Sequence, residues 1–340
     1  MKKTVLSVFV FILLGIFLGS CSTDVDLYAD YKHITVVYGL LDYKQDTNYI
    51  KINKAFLGPG NALEIALIAD SCNYPGKLDS KLIEYRANVG SNNYKVIREF
   101  PLDTITIHNK EQGIFYAPDQ LVYFTNEKIN TNSKQYKYRY ELQIDRGDTI
   151  LTSTTDIVGG DAMNIVSSVL NFSPNTDLGS VKWTPFPNAA VYEIIIRFNW
   201  VEVFPGNDTV RRTMTWSLGT YPESTLIEES GQYSISYKTE NFFTTLASYL
   251  GTDTLNPNVD RIVTDYPLSI SIAAGGTELY NFISVNGPSS SIVQTIPEYT
   301  NINGGYGVFS SRNMVEKKQV RMSSQGFAEL VRRAWRFRQG

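Results

Sequence analysis

Only two histidines and two cysteines occur in 340 residues, which leaves little material for imidazole acid–base chemistry, a multi-cysteine zinc site or a disulfide framework. A basic surplus is missing too. The 31 Lys and Arg face 34 Asp and Glu, a formal net charge of −3, whereas nucleic-acid binders carry the opposite balance. No Gly-x-Ser-x-Gly elbow, His-Glu-x-x-His pair or Asp-x-Asp-x-Asp-Gly calcium loop occurs, so neither a nucleophile nor a metal or other cofactor is implied. Carboxylate pairs assembled across strands need no local motif and keep a hydrolase open as an alternative. What the chain has in quantity is core material. At 43% hydrophobic and 13% aromatic it is too apolar to stay disordered.

Long apolar runs are also lacking. Lys2 and Lys3 precede one run, Val5 to Leu18, of 14 residues, short of the roughly 18 to 20 that a spanning helix needs and of the right length for a secretory signal. Leu18-Gly19-Ser20-Cys21 closes it. This junction resembles a bacterial lipobox, which implies removal of residues 1–20 and a covalent lipid on Cys21. Buried acyl chains contribute about 0.8 kcal/mol per methylene, so membrane lipid becomes the first expected partner and the chain is anchored to a bilayer without crossing it. Residues 21–30 read as a flexible tether. Acidic residues just after such a cysteine resemble the surface-export signals of Bacteroidota lipoproteins, which implies outer-membrane attachment; here they are sparse, Asp24 and Asp26, and cell-surface or periplasmic orientation stays open. Cys72, the other thiol, lies in Ser71-Cys-Asn-Tyr-Pro-Gly76, which reads as a turn with a structural cysteine.

Strand signals dominate the mature chain. Tyr138-Arg-Tyr-Glu-Leu-Gln-Ile144 alternates apolar and polar residues, the pattern of a half-buried strand, and Asp145-Arg-Gly-Asp148 turns it into Thr149 to Thr155. Further strands are expected at 34–41, 49–53, 104–107 and 121–124, with a helix over 62–69 capped by Asn61 and Glu64. They make a first β-sandwich-like domain over 31–158. A linker at 159–175 holds Gly159-Gly160 and Ser173-Pro-Asn175. A second β-rich domain with helices then spans 176–314. Trp183, a Pro/Asn loop and Tyr192 to Phe198 resemble two strands of fibronectin-type-III-like modules. The fold class is therefore mostly β, two immunoglobulin- or fibronectin-III-like sandwiches with a few short helices.

Pairing Val203 with Thr209 places Trp200 opposite Arg212, Phe198 opposite Met214 and Ile196 opposite Trp216, which lines one face of a hairpin with apolar residues and makes both tryptophans core rather than a sugar platform. Helices are expected at 240–250 and 277–283. A basic tail, 315–340, carries seven Lys and Arg against two Glu and a C-terminal amphipathic helix capped by Ser324, with Phe327, Leu330, Val331, Ala334 and Arg338 in one stripe. That tail has three readings: lipid headgroups, a partner, or docking on the acidic body.

Other motifs carry little chemistry. Arg146-Gly147-Asp148 sits where a hairpin needs turn residues, Gly304-Gly305-Tyr306-Gly307 reads as a turn entering a strand, and His33 and His108 lack metal-ligand spacing. Loops rich in Asn, Gly and Asp offer adaptable hydrogen bonds, which makes Asp253, Asn256 and Asn258 in one, and Asn301, Asn303 and Tyr306 in another, the candidate binding residues. Together with the lipobox, Val37-Tyr-Gly-Leu-Leu-Asp42, Tyr49-Ile-Lys-Ile-Asn-Lys54, the stretch from Phe242 to Leu250 with Asn256-Pro-Asn258, and Asn301-Ile-Asn-Gly-Gly-Tyr-Gly-Val-Phe-Ser310 resemble a family of uncharacterised Bacteroidota outer-membrane lipoproteins, domain of unknown function 4249. The resemblance implies TonB-dependent transporters as neighbours and an accessory role in uptake or envelope organisation. A lipid-anchored binding subunit is thus the expectation, with a structural or assembly protein of the envelope as its rival.

Overall fold

The computed structural model describes residues 32–57, 61–174, 176–251, 257–287 and 298–340; the signal segment, Cys21, the tether, Asp253 and Asn256 lie outside them. Along the first half run β1 (Lys32–Leu41), β2 (Asn48–Leu57), α1 (Ala62–Ala66), α2 (Ala69–Cys72), β3 (Asp79–Asn88), β4 (Lys95–Pro101), β5 (Asp103–Ile107), β6 (Gln120–Thr125), β7 (Tyr136–Asp145) and β8 (Ile150–Asp156). The second half adds β9 (Val169–Leu170), β10 (Leu178–Trp183), β11 (Val191–Val203), β12 (Thr209–Pro222), β13 (Ile227–Glu229), β14 (Gln232–Lys238), α3 (Thr239–Leu250), β15 (Asp260–Val263) and β16 (Leu268–Gly275). Last come α4 (Thr277–Asn286), β17 (Tyr306–Met322), α5 (Ser324–Arg332) and β18 (Phe337–Gln339). The protein is mostly β, with a sandwich-like arrangement of sheets and few helices.

Period-2 alternation sets each face. Along β1, Val37 and Leu41 are fully buried, and a Cβ on Gly39 would press on Phe309 and Ile50 at 3.1–3.3 Å, while Tyr38 points the other way. That inner face meets Leu82, Phe100, Tyr140, Leu142 and Leu151 of the four-stranded sheet β4-β3-β7-β8 in one apolar cluster. A second cluster joins β11 and β16 to the small sheet β10-β14-β13, with Trp183, Phe198, Phe242 and Leu268 at its centre. Ile157 belongs to the first cluster and Val158 to the second.

One strand serves both. Residues 306–311 of β17 pair in parallel with β1, from Val36↔Tyr306 to Leu41↔Ser311. From Arg312 onward the same strand pairs antiparallel with β16. At the hand-over Ser311 is fully buried, accepts from Val158 N at 2.8 Å and donates to the Asp156 carbonyl at 2.7 Å. Asn132 completes the junction by donating to Ile157 O and Gly159 O at 2.6 and 2.8 Å.

The hairpin of β11 and β12 has the expected register, with Trp200↔Arg212, Phe198↔Met214 and Ile196↔Trp216, and both tryptophans are buried. Several expectations need correction. The stretch 159–175 is no free linker: Ile165, Leu170 and Phe172 are buried and β9 pairs with the end of β17. Residue 315 is no boundary, because β17 runs through it. Strands β3 and β4 escaped notice since Glu84, fully buried at the centre of β3, breaks the apolar pattern; Arg98, Tyr140 and Asn130 satisfy it at 2.6–2.9 Å. The helix over 62–69 breaks after Ala66, where Ile68 turns extended. Cys72 closes the next helix rather than a turn, and its thiol donates to Ala66 O.

The final helix is capped by Ser323 and ends at Arg332, so Ala334 and Arg338 leave its stripe. Ala334 and Arg336 take positive φ, which turns Phe337–Gln339 onto β15. The basic segment is laid on the body: Arg333 bonds Glu240 and Glu329, Arg332 bonds Glu329, and Arg336 and Arg338 meet Asp260. Glu329 is buried, and hydrogen bonds from Arg332, then Arg333, hold its carboxyl below the usual range against the opposing effect of burial. A depressed folded pKa stabilises above the unfolded value, about 4.3 for Glu, and that contribution is lost as pH falls through the folded value. Glu329→Gln should therefore lower stability at pH 7 by roughly 1–3 kcal/mol, and denaturant melts of variant and parent should draw together as pH falls from the unfolded value through the lower folded one.

Candidate functional site

Buried acids come first, since they are where perturbed chemistry gathers. Glu84 is held by Arg98 and Tyr140, Glu202 by Arg212 and the fully buried Arg261, and Glu329 by its two arginines. Each has its charge matched inside the chain. Burial, then the hydrogen bond to Glu141, pushes the Tyr85 hydroxyl up to about 12, and burial, then the bond to Glu84, raises Tyr140 further. Both stay protonated donors at neutral pH and secure strands.

A different arrangement lies on the outer face of β1 and β2, where α4 crosses. Tyr38 projects from β1 beside Leu40 and Val308, and Tyr49 projects from β2. Phe282 of α4 meets the Tyr38 ring edge-on at 6.0 Å, and Tyr49 tilts against Phe124 at 6.3 Å. Between them runs a groove of about 590 Å³, within the size range of small-molecule sites. Tyr38 is 44% and Tyr49 53% exposed, so both offer ring faces on rigid strands.

The helix wall is fixed at its start. Gly276, the N-cap, has no side chain to bond the first turn, and Ser310 of β17 supplies one instead. Its Oγ accepts from Leu279 N at 3.2 Å and donates to Glu278 Oε2 at 2.9 Å, a capping arrangement provided by another element. Thr155 Oγ1 donates to the same carboxylate oxygen at 3.0 Å. The remainder of α4 has no buried residue.

Polar groups gather at one end. Asp42 N donates to Asn48 Oδ1 at 2.7 Å, and Asn313 Nδ2 donates to Asp42 Oδ1 at 3.4 Å. Asn48 Nδ2, in the groove lining, is buried and unpaired among the described residues, a state that a bridging water or ligand group would relieve; Asn313, which alternation turns to the other face of β17 from Arg312, is outside the lining. Arg312, on the rim, is exposed and makes no ion pair among the described residues. A concavity of similar size near Pro267 and Phe327 differs, since Arg321 there already stacks on Tyr266 at 5.0 Å and bonds its hydroxyl.

The residues expected from sequence lie elsewhere. Asn258 is exposed ahead of β15, and Asn301, Asn303 and Tyr306 lead into the start of β17, beside β1 and β8. Asn301 is a clamp: its side chain accepts from Phe309 N at 3.0 Å and donates to Phe309 O at 2.7 Å. Asn303 bridges Thr152 through its backbone, while Tyr306 is half-exposed beside Val36. Sequence reasoning missed Tyr38, Tyr49, Asn48, Phe282 and Arg312. Alternation in β1 marks Tyr38 as outward-facing, but nothing local brings α4 over it. His108 is exposed and bonds Asp119 at 2.9 Å, and Arg146 is tied to Asp148 within its own hairpin at 2.6 Å.

No family model and no curated protein matches the chain. Among solved structures, the crystal structure of CBD12 from CALX1.2 is similar at 10% identity over 65% of this chain and 90% of that one, with a TM-score of 0.15.

Because Asn301 closes a backbone loop, Asn301→Ala should lower stability by roughly 1–3 kcal/mol through the unpaired Phe309 groups. A denaturant melt reads this directly. An unchanged melt would show that the side chain is free for a ligand.

Proposed function

We propose that the chain is a lipid-anchored envelope protein, held through Cys21 at the outer membrane, that binds a ligand in the groove between α4 and the β1–β2 pair and serves as a binding or accessory subunit beside an outer-membrane transporter. The groove carries this reading. It combines half-exposed aromatic side chains, a guanidinium with no ion pair among the described residues and the buried, unsatisfied Asn48 Nδ2, the mixture of apolar lining and few directed polar groups by which concave sites orient a small ligand. The lipobox at Leu18–Cys21 and the resemblance to transporter-associated lipoproteins support the anchor and the neighbour.

Flat rings flanked by Asn, Gln and Arg suit a ligand with apolar faces and hydroxyl or amide edges, such as an oligosaccharide or short peptide. Purified protein screened against panels of both should retain members of one class. Tyr38→Ala with Tyr49→Ala should weaken that binding at least tenfold, about 1.4 kcal/mol, with an unchanged melting temperature because neither ring is core. Binding that survives the double variant would place recognition elsewhere, and no binding by either protein would favour an assembly role.

A further inference from the structure

Five large apolar side chains stand out at one end of the first sandwich. Leu63 on α1, its C-cap Leu67 and the next residue Ile68, with Ile114 and Phe115 on the loop between β5 and β6, are each 53–63% exposed. The two segments are joined, since Tyr116 N donates to Ala66 O at 2.8 Å and Lys110 Nζ donates to Tyr116 O. Leu63 and Leu67, four apart, share a helix face, while Ala66 supplies the buried contact. A contiguous apolar knob of this kind marks an interaction site.

Topology says what lies beside it. The first strand begins at Lys32, which pairs with Leu57 at the end of β2, and α1 starts five residues later. The β5–β6 loop turns at that same end, because β6 runs antiparallel to β2 with Thr125 opposite Asn48 and Gln120 opposite Ile107. The knob therefore sits where the tether enters the fold. Eleven residues separate Lys32 from Cys21, a reach of no more than about 38 Å fully extended.

We infer that this knob is a second membrane contact, its five side chains dipping into the headgroup–acyl boundary of the bilayer that holds the acyl anchor. The inference rests on the anchoring of Cys21 proposed above. Charges around the knob have both signs, Lys51 and Lys110 against Glu64 and Glu111, so burial of apolar surface drives the contact, as for interfacial segments generally. The geometry has a functional consequence. Asp42 and the polar end of the groove lie ten residues along β1 from Lys32, about 33 Å at 3.3 Å per residue, so a knob in the bilayer presents the groove away from it.

A nitroxide at Phe115→Cys tests this, with Asp208→Cys in the β11–β12 turn as reference. Cys72 is buried, the thioether-linked lipid occupies the Cys21 sulfur of the processed protein, and both sites are exposed, so labelling is selective and folding is retained. On full-length processed protein added to phosphatidylethanolamine–phosphatidylglycerol vesicles, the label at 115 should be several-fold more accessible to oxygen than to a water-soluble nickel chelate. The label at 208 should show the reverse. Equal nickel accessibility at the two sites overturns the inference, as does a label at 115 shielded from both probes, which would mean that a protein covers the knob. The mass of the N-terminal peptide, read separately, decides whether Cys21 is acylated, so failure of the anchor and failure of the knob are told apart.

Discussion

Strand β17 is the constraint on which the rest of the structure depends. Its first six residues complete the sheet of one sandwich and its next nine complete the sheet of the other. Backbone N–H and C=O groups of a central strand must find partners, so neither sandwich can move along the other without breaking a ladder. The seam is polar yet satisfied: Ser310, Ser311 and Thr155 are all buried, and each hydroxyl has a partner within the chain. Entry into β17 is equally tight. Gly307 has a φ of +107, and a Cβ there would lie 2.0 Å from Val37 O, so only glycine permits the parallel approach of β1.

From this shared strand follow the places where function can reside. Ser310 caps α4 while its neighbours pair with β1, so the same few residues position the helix wall and the strand floor of the groove. The opposite end of β1 pairs with the end of β2, from which the chain enters α1 and beside which the β5–β6 loop turns, and apolar residues there face outward. One strand axis thus separates an apolar end from a polar, aromatic one.

Much of the local structure was legible in the sequence, because it follows from short-range pattern. Alternation placed β7 and β8, and cross-strand pairing fixed the register of β11 with β12 down to Ile196 opposite Trp216. Asn61, with Glu64 three residues on, marked a helix start that the structure has, with Asn61 Oδ1 accepting from Leu63 N. Long-range partners were not legible. Glu84 sits at a core position because Arg98 and Tyr140 reach it from other strands, and no period reveals that. The candidate loops were chosen for composition, yet Asn301 spends its amide on Phe309. The groove escaped for the same reason: Tyr38 and Phe282 are 244 positions apart, and only the parallel pairing of β1 with β17 brings them together.

If β17 completes the first core, a chain running from Cys21 to Val158 must fail to fold alone. It keeps β1 to β8 but lacks Ile302 and Phe309 and leaves the β1 edge unpaired; removing a buried Phe alone costs roughly 3–5 kcal/mol, a large share of the 5–15 kcal/mol that a domain has. The direct measurement is the amide spectrum and denaturant melt of this fragment beside the chain from Cys21 to Gly340. The structure calls for collapsed, poorly dispersed amides and no cooperative transition from the fragment, against one sharp transition from the whole. A dispersed spectrum with a cooperative melt of its own would contradict the dependence of the first sandwich on β17.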